Sequence, residues 1–298
     1  MTCREAFCNV PGEAEDPVSF RPINPRNAIL EAVVVVHLSR PALDFESAAV
    51  RALHPRLARD LPRLDDLQVG TFHFGSGGPP PHLPGAPVVM AAYKKDGTIE
   101  TRLLLNGPIL TVNFLLYTRW SELWPKAAVW IQEMLDAIAA AHRPSIAPPL
   151  SVAALAHQII DVFLWSGVPG DVSVADLFND GPPRLPSAVW AAVGSPWYAA
   201  HSTSEPFTPG GLPLSALVDS LSVNLSEEQN VGWRLRLEHL VEARFGQPLS
   251  PTRLFAQARS GGTPQAETIM DGLHARNHAL MRSLLRPKVL TRIGMDAS

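Results

Sequence analysis

The chain has 298 residues, 46% hydrophobic and 18% charged, which is enough apolar material for a sizeable core and excludes wholesale disorder. A formal net charge of -3 supplies no global basic field to attract nucleic acid. The two cysteines, Cys3 and Cys8, both sit near the start, so a disulfide framework is excluded and the body of the chain has no thiol for catalysis or metal binding.

No apolar run reaches the ~18–20 residues that span a bilayer. Glu5, Glu13, Glu15 and Asp16 interrupt the region where a signal-peptide core would lie. The expectation is a soluble, cytoplasmic protein with no membrane partner. Pro clusters at 79–81, 148–149, 182–183 and 206–213 read as connectors, because Pro fixes φ and removes an N–H donor.

Residues 1–26 lack periodicity and are expected to form a flexible tail. Residues 27–40 contain Val33, Val34, Val35 and Val36 in succession, the pattern of a strand covered on both faces. Glu31 is the charged residue inside its apolar body. Asp44 is placed to cap a following helix whose apolar positions run from Phe45 to Leu61, with a break at Pro55. Residues 67–74 alternate imperfectly and predict a second strand, and 75–85 a Gly/Pro loop.

An antiparallel meander is predicted at 86–93, 98–105 and 109–117, with Asp96-Gly97 and Asn106-Gly107 supplying turn residues that tolerate positive φ. Residues 118–141 predict an amphipathic helix. Its Trp120, Trp124 and Trp130 are spaced for core packing rather than as a ligand box. Residues 151–165 are apolar throughout, so period alone does not choose helix or strand. A short helix capped by Ser173 is expected at 168–177, and 185–198 stays undecided. Residues 214–225 and 232–245 predict a strand pair, with helix an alternative for 234–244. Residues 260–263 read as a Gly turn, and 264–285 as a last long helix with Pro264 in its first turn and Pro287 as its stop.

This order predicts an α+β fold: two similar lobes of antiparallel sheet covered by helices, 27–143 and 150–298, with a ferredoxin-like duplication as one form of it.

Three short motifs carry a resemblance. They are Ile29-Leu30-Glu31-Ala32-Val33 on the first strand, Leu115-Leu116-Tyr117-Thr118 at the exit of the meander, and Met270-Asp271-Gly272-Leu273-His274 on the last helix. With them the chain resembles a sporadically distributed prokaryotic family of about this size, over roughly residues 27–285. Such proteins carry a Leu-Arg-Tyr-Ile-Asn-like strand after the mid-chain helix. Here Ala154-Leu155-Ala156-His157-Gln158-Ile159 stands in its place, without the Arg and Asn. The resemblance implies the fold and no particular activity.

Among constellations with chemistry, Glu267, Asp271, His274 and His278 fall on one face of the last helix. His274 and His278 could offer two imidazoles to zinc or another divalent metal, with Asp271 as a third ligand. The plainer alternative is a solvated face of carboxylate–histidine pairs. Ala275 replaces the Glu that a zinc-protease helix carries after its first His. No G-x-S-x-G occurs, and the Gly-rich stretch at 75–78 runs into prolines rather than a helix with Lys.

Arg234, Arg236, Arg244, Arg253, Arg259, Arg276, Arg282 and Arg286 make the C-terminal third locally basic. Three functions follow. The first is a non-catalytic protein, without cofactor, that binds a protein partner in a multi-component bacterial system, with Glu31, Arg276 and Arg282 as binding candidates. The second is RNA or DNA binding by the basic surface. The third is a metal-dependent enzyme on the His-x3-His helix.

Overall fold

The computed structural model describes residues 20–24, 27–65, 86–181, 184–207, 215–229, 231–255 and 264–295. The predicted strand at 67–74, the loop at 75–85 and the turn at 260–263 lie outside them. A short strand, β1 (Phe20–Pro22), precedes β2 (Ile29–Leu38), which holds the four consecutive valines. Two helices, α1 (Asp44–Arg51) and α2 (His54–Leu57), divide the segment around Pro55 as its position requires.

The edge strand β3 (Arg63–Asp65) then leads to the meander β4 (Val88–Tyr93), β5 (Ile99–Asn106) and β6 (Ile109–Phe114). Gly97 (φ 83°) and Gly107 (φ 57°) hold the left-handed conformations that these two turns demand. Next comes α3 (Trp120–Ala141), and its stripe from Leu123 to Ile138 is buried. Trp124 and Trp130 are core residues, as their spacing predicts, whereas Trp120 is only partly covered.

Residues 151–165 resolve as a strand, β7 (Val152–Trp165), mostly apolar, in the middle of the sheet and buried along most of its length. Two 3-10 turns, Pro169–Asp171 and Val174–Asp176, replace the predicted helix, and Ser173 does cap the second by accepting from the Ala175 N–H. A one-turn helix, α4 (Ala188–Ala191), precedes β8 (Trp197–Phe207). The strand pair is β9 (Ser215–Glu228) and β10 (Gly232–Leu249). Helix is excluded for 234–244, whose strict alternation matches the pleat. Then follow α5 (Pro251–Phe255), α6 (Gln265–Leu284) and α7 (Pro287–Arg292). Pro264 is the residue before α6, and Pro287 opens α7 as well as closing off α6.

The strands form one antiparallel sheet in the order β3-β4-β5-β6-β2-β7-β10-β9-β8, with β1 extending the β2 side of β7. Residues 27–143 supply β2 to β6 and residues 150–298 supply β7 to β10. Both sets share the sheet because β2 pairs with β7 from Ile29↔Asp161 to Leu38↔Val152. Each set runs first strand, helical connection, meander, long helix, and the last meander strand returns beside the first. A βαββαβ run of the ferredoxin-like kind is not the order of either set, since no helix interrupts the meanders.

The described α-helices all bury their apolar residues on the same face of this sheet, in two clusters. The larger lies under α3 and α5, the other under α4, α7 and the C-terminal half of α6. Side chains such as Ile131, Leu135 and Phe163 each contribute about 1.5–3 kcal/mol by leaving water.

One charged pair anchors the start of this layer. Glu46, fully buried, accepts both Arg40 guanidinium N–H groups at 2.6 and 2.8 Å and the Leu43 backbone N–H at 2.8 Å. It is therefore Glu46, reaching back to the turn before α1, and not Asp44, that satisfies the helix N-terminus. Burial alone would raise the Glu46 pKa, but Arg40 and the Leu43 N–H hold it below the usual value. Arg40 also donates to the carbonyls of Pro41 and Pro148, tying β2, α1 and the connector before β7 together.

Arg40→Ala leaves that carboxylate buried without its cation and is expected to cost about 3–5 kcal/mol in denaturant unfolding. Because the folded pKa of Glu46 is depressed, its stabilisation is present above the unfolded pKa and lost as pH falls through the folded one.

Candidate functional site

Cross-strand rows on the helix-covered face show where polarity enters the interior. One row reads Leu64, Met90, Leu103, Val112, Val34, His157, Val241, Asp219, Thr203 from β3 to β8. A neighbouring row reads Thr101, Phe114, Ala32, Ile159, His239, Leu221, His201. Buried polar residues on this face begin at β7. They are His157, Asp161, His239 and Asp219, each at most 3% exposed. They lie between the two apolar clusters, and the face of α6 above them contributes Asn277, His274 and Arg276.

The bonds in this seam are specific. Asp219 Oδ1 accepts from His239 Nε2 at 2.8 Å, and Arg184 grips both Asp219 oxygens. Arg276 Nε approaches the same carboxylate at 3.7 Å, and its other end pairs with Glu205 on β8. Burial pushes the Asp219 pKa up, but His239 and Arg184 hold it far below the carboxylate range, so it is ionised.

The Asn277 side-chain amide donates to His157 Nδ1 at 2.8 Å. Trp120, at the start of α3, stacks on His274 with centroids 4.7 Å apart, sits 4.5 Å from the His157 ring, and donates its indole N–H to Asp271 Oδ1 at 2.8 Å. His278 follows, its ring 4.4 Å from that of His274. Burial, reinforced by neighbouring histidines, holds His157 well below its ordinary pKa and His274 at about 4. Burial and Arg282 lower His278. These three imidazoles are neutral near pH 7.

The structure thus brings Asp271, His274 and His278 to one face of α6, but Asp271 is engaged by Trp120, and His274 is sandwiched toward His157. Among the described residues, no three His, Cys, Asp or Glu side chains form a metal-ligand group. The pair that could hold a metal is His274 with His278. Arg276 belongs to the seam, whereas Arg282 lies beside His278. Glu31 is on the opposite face of the sheet, where its carboxylate accepts from the Asn113 amide at 2.5 Å. Its partner is therefore an amide on the adjacent strand.

Sequence reasoning missed His157, Asp161, Asp219, His239 and Asn277. Each looks isolated along the chain. The available signal was a polar residue at an inward position of an otherwise apolar strand, as Asp219 is in β9.

Asp161 stands apart within the seam. It makes no side-chain hydrogen bond to any described residue, and burial alone pushes its pKa up to about 7. Its carboxylate in turn helps burial raise Tyr117 to about 12.

The second candidate surface is the other face of the sheet, which no described helix covers. Its central row reads Arg63, Ala91, Arg102, Asn113, Val33, Gln158, Leu240, Ser220, Ser202. The next row reads Asp65, Val89, Leu104, Thr111, Val35, Ala156, Glu242, Val218, Ser204. Half-buried apolar groups (Leu104, Val35, Leu240, Val218) alternate with hydroxyls, amides and charges. The charges are locally paired: Arg234 with Glu228, Arg236 with Glu238, Arg244 and His37 with Glu242.

No family model matches this chain, and no curated protein matches it. Among solved structures, the crystal structure of BexL, a di-domain ARO/CYC from the BE-7585A biosynthetic pathway, is 11% identical, over 90% of this chain and 99% of that one, with a TM-score of 0.19. A likeness this slight bears on neither fold nor function. No helix is long and apolar enough to cross a membrane among the described residues.

The titrations carry signs that can be checked. The folded pKa values of His157, His274 and His278 are depressed, so the unfolded chain takes up protons first as pH falls below about 6.5. Stability is expected to drop between there and pH 4, and His274→Phe should flatten that slope. Asp161 acts oppositely. Its raised pKa means that stability is lost as pH rises from about 4 to 7. Asp161→Asn should therefore raise the thermal midpoint at pH 8 clearly more than at pH 4.5, measured by calorimetry at both pH values.

Proposed function

We propose that this protein acts by binding, as the partner-engaging component of a multi-protein bacterial system, and that the uncovered sheet face is where a protein partner docks. The observation that carries the reading is the one-sided layering: every described α-helix buries its apolar stripe on one face, while the other presents nine strands' worth of side chains without a described helix over it. Extended antiparallel sheets leave one face to water or to a partner, and here that face mixes half-buried apolar groups with polar ones, the composition of a non-obligate interface.

Charge arithmetic favours a protein partner over a polyanion. On this face Arg63, Arg102, Arg234, Arg236 and Arg244 are set against Glu31, Asp65, Glu100, Glu228, Glu238 and Glu242. Near the C-terminus, Arg276 on α6 and Arg286 between α6 and α7 are likewise paired, with Glu205 and Asp180. A phosphate backbone is bound by unneutralised cations. The common path of the two strand sets supports an origin as a duplicated α+β unit.

A photo-crosslinking residue at Thr111 or Ser222 is expected to capture one stoichiometric protein in cells. The same residue at Val129, exposed on the outer side of α3, should capture none. Leu240→Arg, with an unchanged circular dichroism spectrum, should abolish that adduct. Equal capture from both faces, or an adduct removed by nuclease, overturns the proposal.

A further inference from the structure

The sheet has two outer edges, β3 and β8, and they differ sharply. The β3 edge is three residues long and carries Arg63 and Asp65. Arg63 lies over the Tyr93 ring, and Asp65 accepts from the Tyr93 hydroxyl. Short and charged, it is a poor template for another strand. The β8 edge is eleven residues long and pairs with β9 over all of them. Antiparallel pairing with one neighbour uses the backbone groups of alternate residues, and the residues between point their N–H and C=O groups outward. No described strand lies beyond β8.

This edge is also thinly protected. Within Trp197–Phe207 the one carboxylate is Glu205, which is already paired with Arg276 of α6, and there is no Lys or Arg. From Ala200 to Pro206 every residue but His201 is exposed. Tyr198, at 68%, is the most exposed large apolar side chain among the described residues. Pro206 removes one N–H near the end of the strand and leaves the rest of the edge open.

The order of side chains along β8 says what fits against it. Run antiparallel to itself with its middle residue, Ser202, opposite Ser202, the strand uses its whole length. Tyr198 then faces Pro206, Ala200 faces Ser204, His201 faces Thr203, and Ala199 faces Glu205. An aromatic ring meets a pyrrolidine, small residues meet hydroxyls, and no carboxylate stands opposite another. The backbone agrees, because partners in this register differ by an even number of residues. A residue whose N–H and C=O point outward therefore always meets another of the same kind.

We infer that β8 is the interface of a homodimer, in which two copies join edge to edge by antiparallel β8–β8 pairing about a two-fold axis between the two Ser202 residues. The contact is isologous, so it closes on itself and consumes the open edge instead of propagating it. Its axis stands perpendicular to the sheet. The helices of both copies therefore lie on one side, and the two uncovered faces form one continuous surface on the other.

Sedimentation equilibrium on the full chain should give twice the mass of one chain. Ser202→Lys sets two ammonium groups opposite each other and should give a monomer with an unchanged circular dichroism spectrum. Ser202→Glu should do the same, and mixing the two variants should restore the dimer. Should either variant not fold, a cysteine pair decides. In a chain carrying Cys3→Ser and Cys8→Ser, Ser202→Cys should crosslink on mild oxidation, because directly opposed Cα atoms lie about 4.5–5.5 Å apart, within disulfide reach. Ser204→Cys should not, since its counterpart is displaced about 13 Å along the strand. A native chain that is monomeric at every concentration, a dimer that Ser202→Lys leaves intact, or equal crosslinking at 202 and 204 would each overturn the inference. A protein captured from Thr111, five strands from β8, is not the second copy, so docking on the uncovered face is decided separately.

Discussion

The pairing of β2 with β7 is the constraint on which the rest of the molecule depends. Without it the chain would present two sheets, each with a hydrophobic strand at an edge. Val33 to Val36 and Leu155 to Ile160 would then expose unpaired N–H and C=O groups beside mostly apolar side chains, the combination that drives edge-to-edge aggregation. Joined, they become the centre of one sheet, where all of them but Val35 are buried. The sheet that results is long enough for two helices, α3 and α6, to lie on the same side, with no described helix on the other.

The two helix seats show how differently the same path can be filled. Beneath α3 the sheet offers Val34, Val36, Leu103, Leu110, Val112 and Phe114, and Trp130 packs against Phe114 with centroids 6.1 Å apart. Beneath α6 it offers His157, His239 and Asp219. A dry interface tolerates small shifts along its length, whereas a hydrogen-bonded one has a single register in which its groups are satisfied. Trp120 joins the two arrangements: it belongs to α3, yet it stacks on His274 of α6 and bonds Asp271.

Much of this was legible in the chain. The valine run, the Gly turns of the meander, the Trp-bearing helix and the strand pair at 214–225 and 232–245 were read from local pattern, because each depends on its own residues. Residues 151–165 were not. A strand buried on both faces loses the alternation that would identify it, and only pairing with β2 and β10 settles its state. Asp44 was misread as a cap because it is the right residue one position too late, while Glu46 itself reaches back to accept the Leu43 N–H. The His274–His278 face was identified, but its surroundings come from β7, β9, β10 and α3. The bond between Asn277 and His157 spans 120 residues, a separation that no sequence window covers. The partner of Glu31, Asn113, also lies across a strand pairing that only the fold creates.

Hydrogen exchange on native protein tests the joined sheet most directly. The amides of β2 from Val33 to Val36 and of β7 from Leu155 to Ile159 should exchange at the same slowest rate, set by global unfolding, and denaturant should melt both in one transition. Exchange of the β7 amides at a distinctly lower free energy than those of β2, with residues 150–298 unfolding separately, would contradict the account.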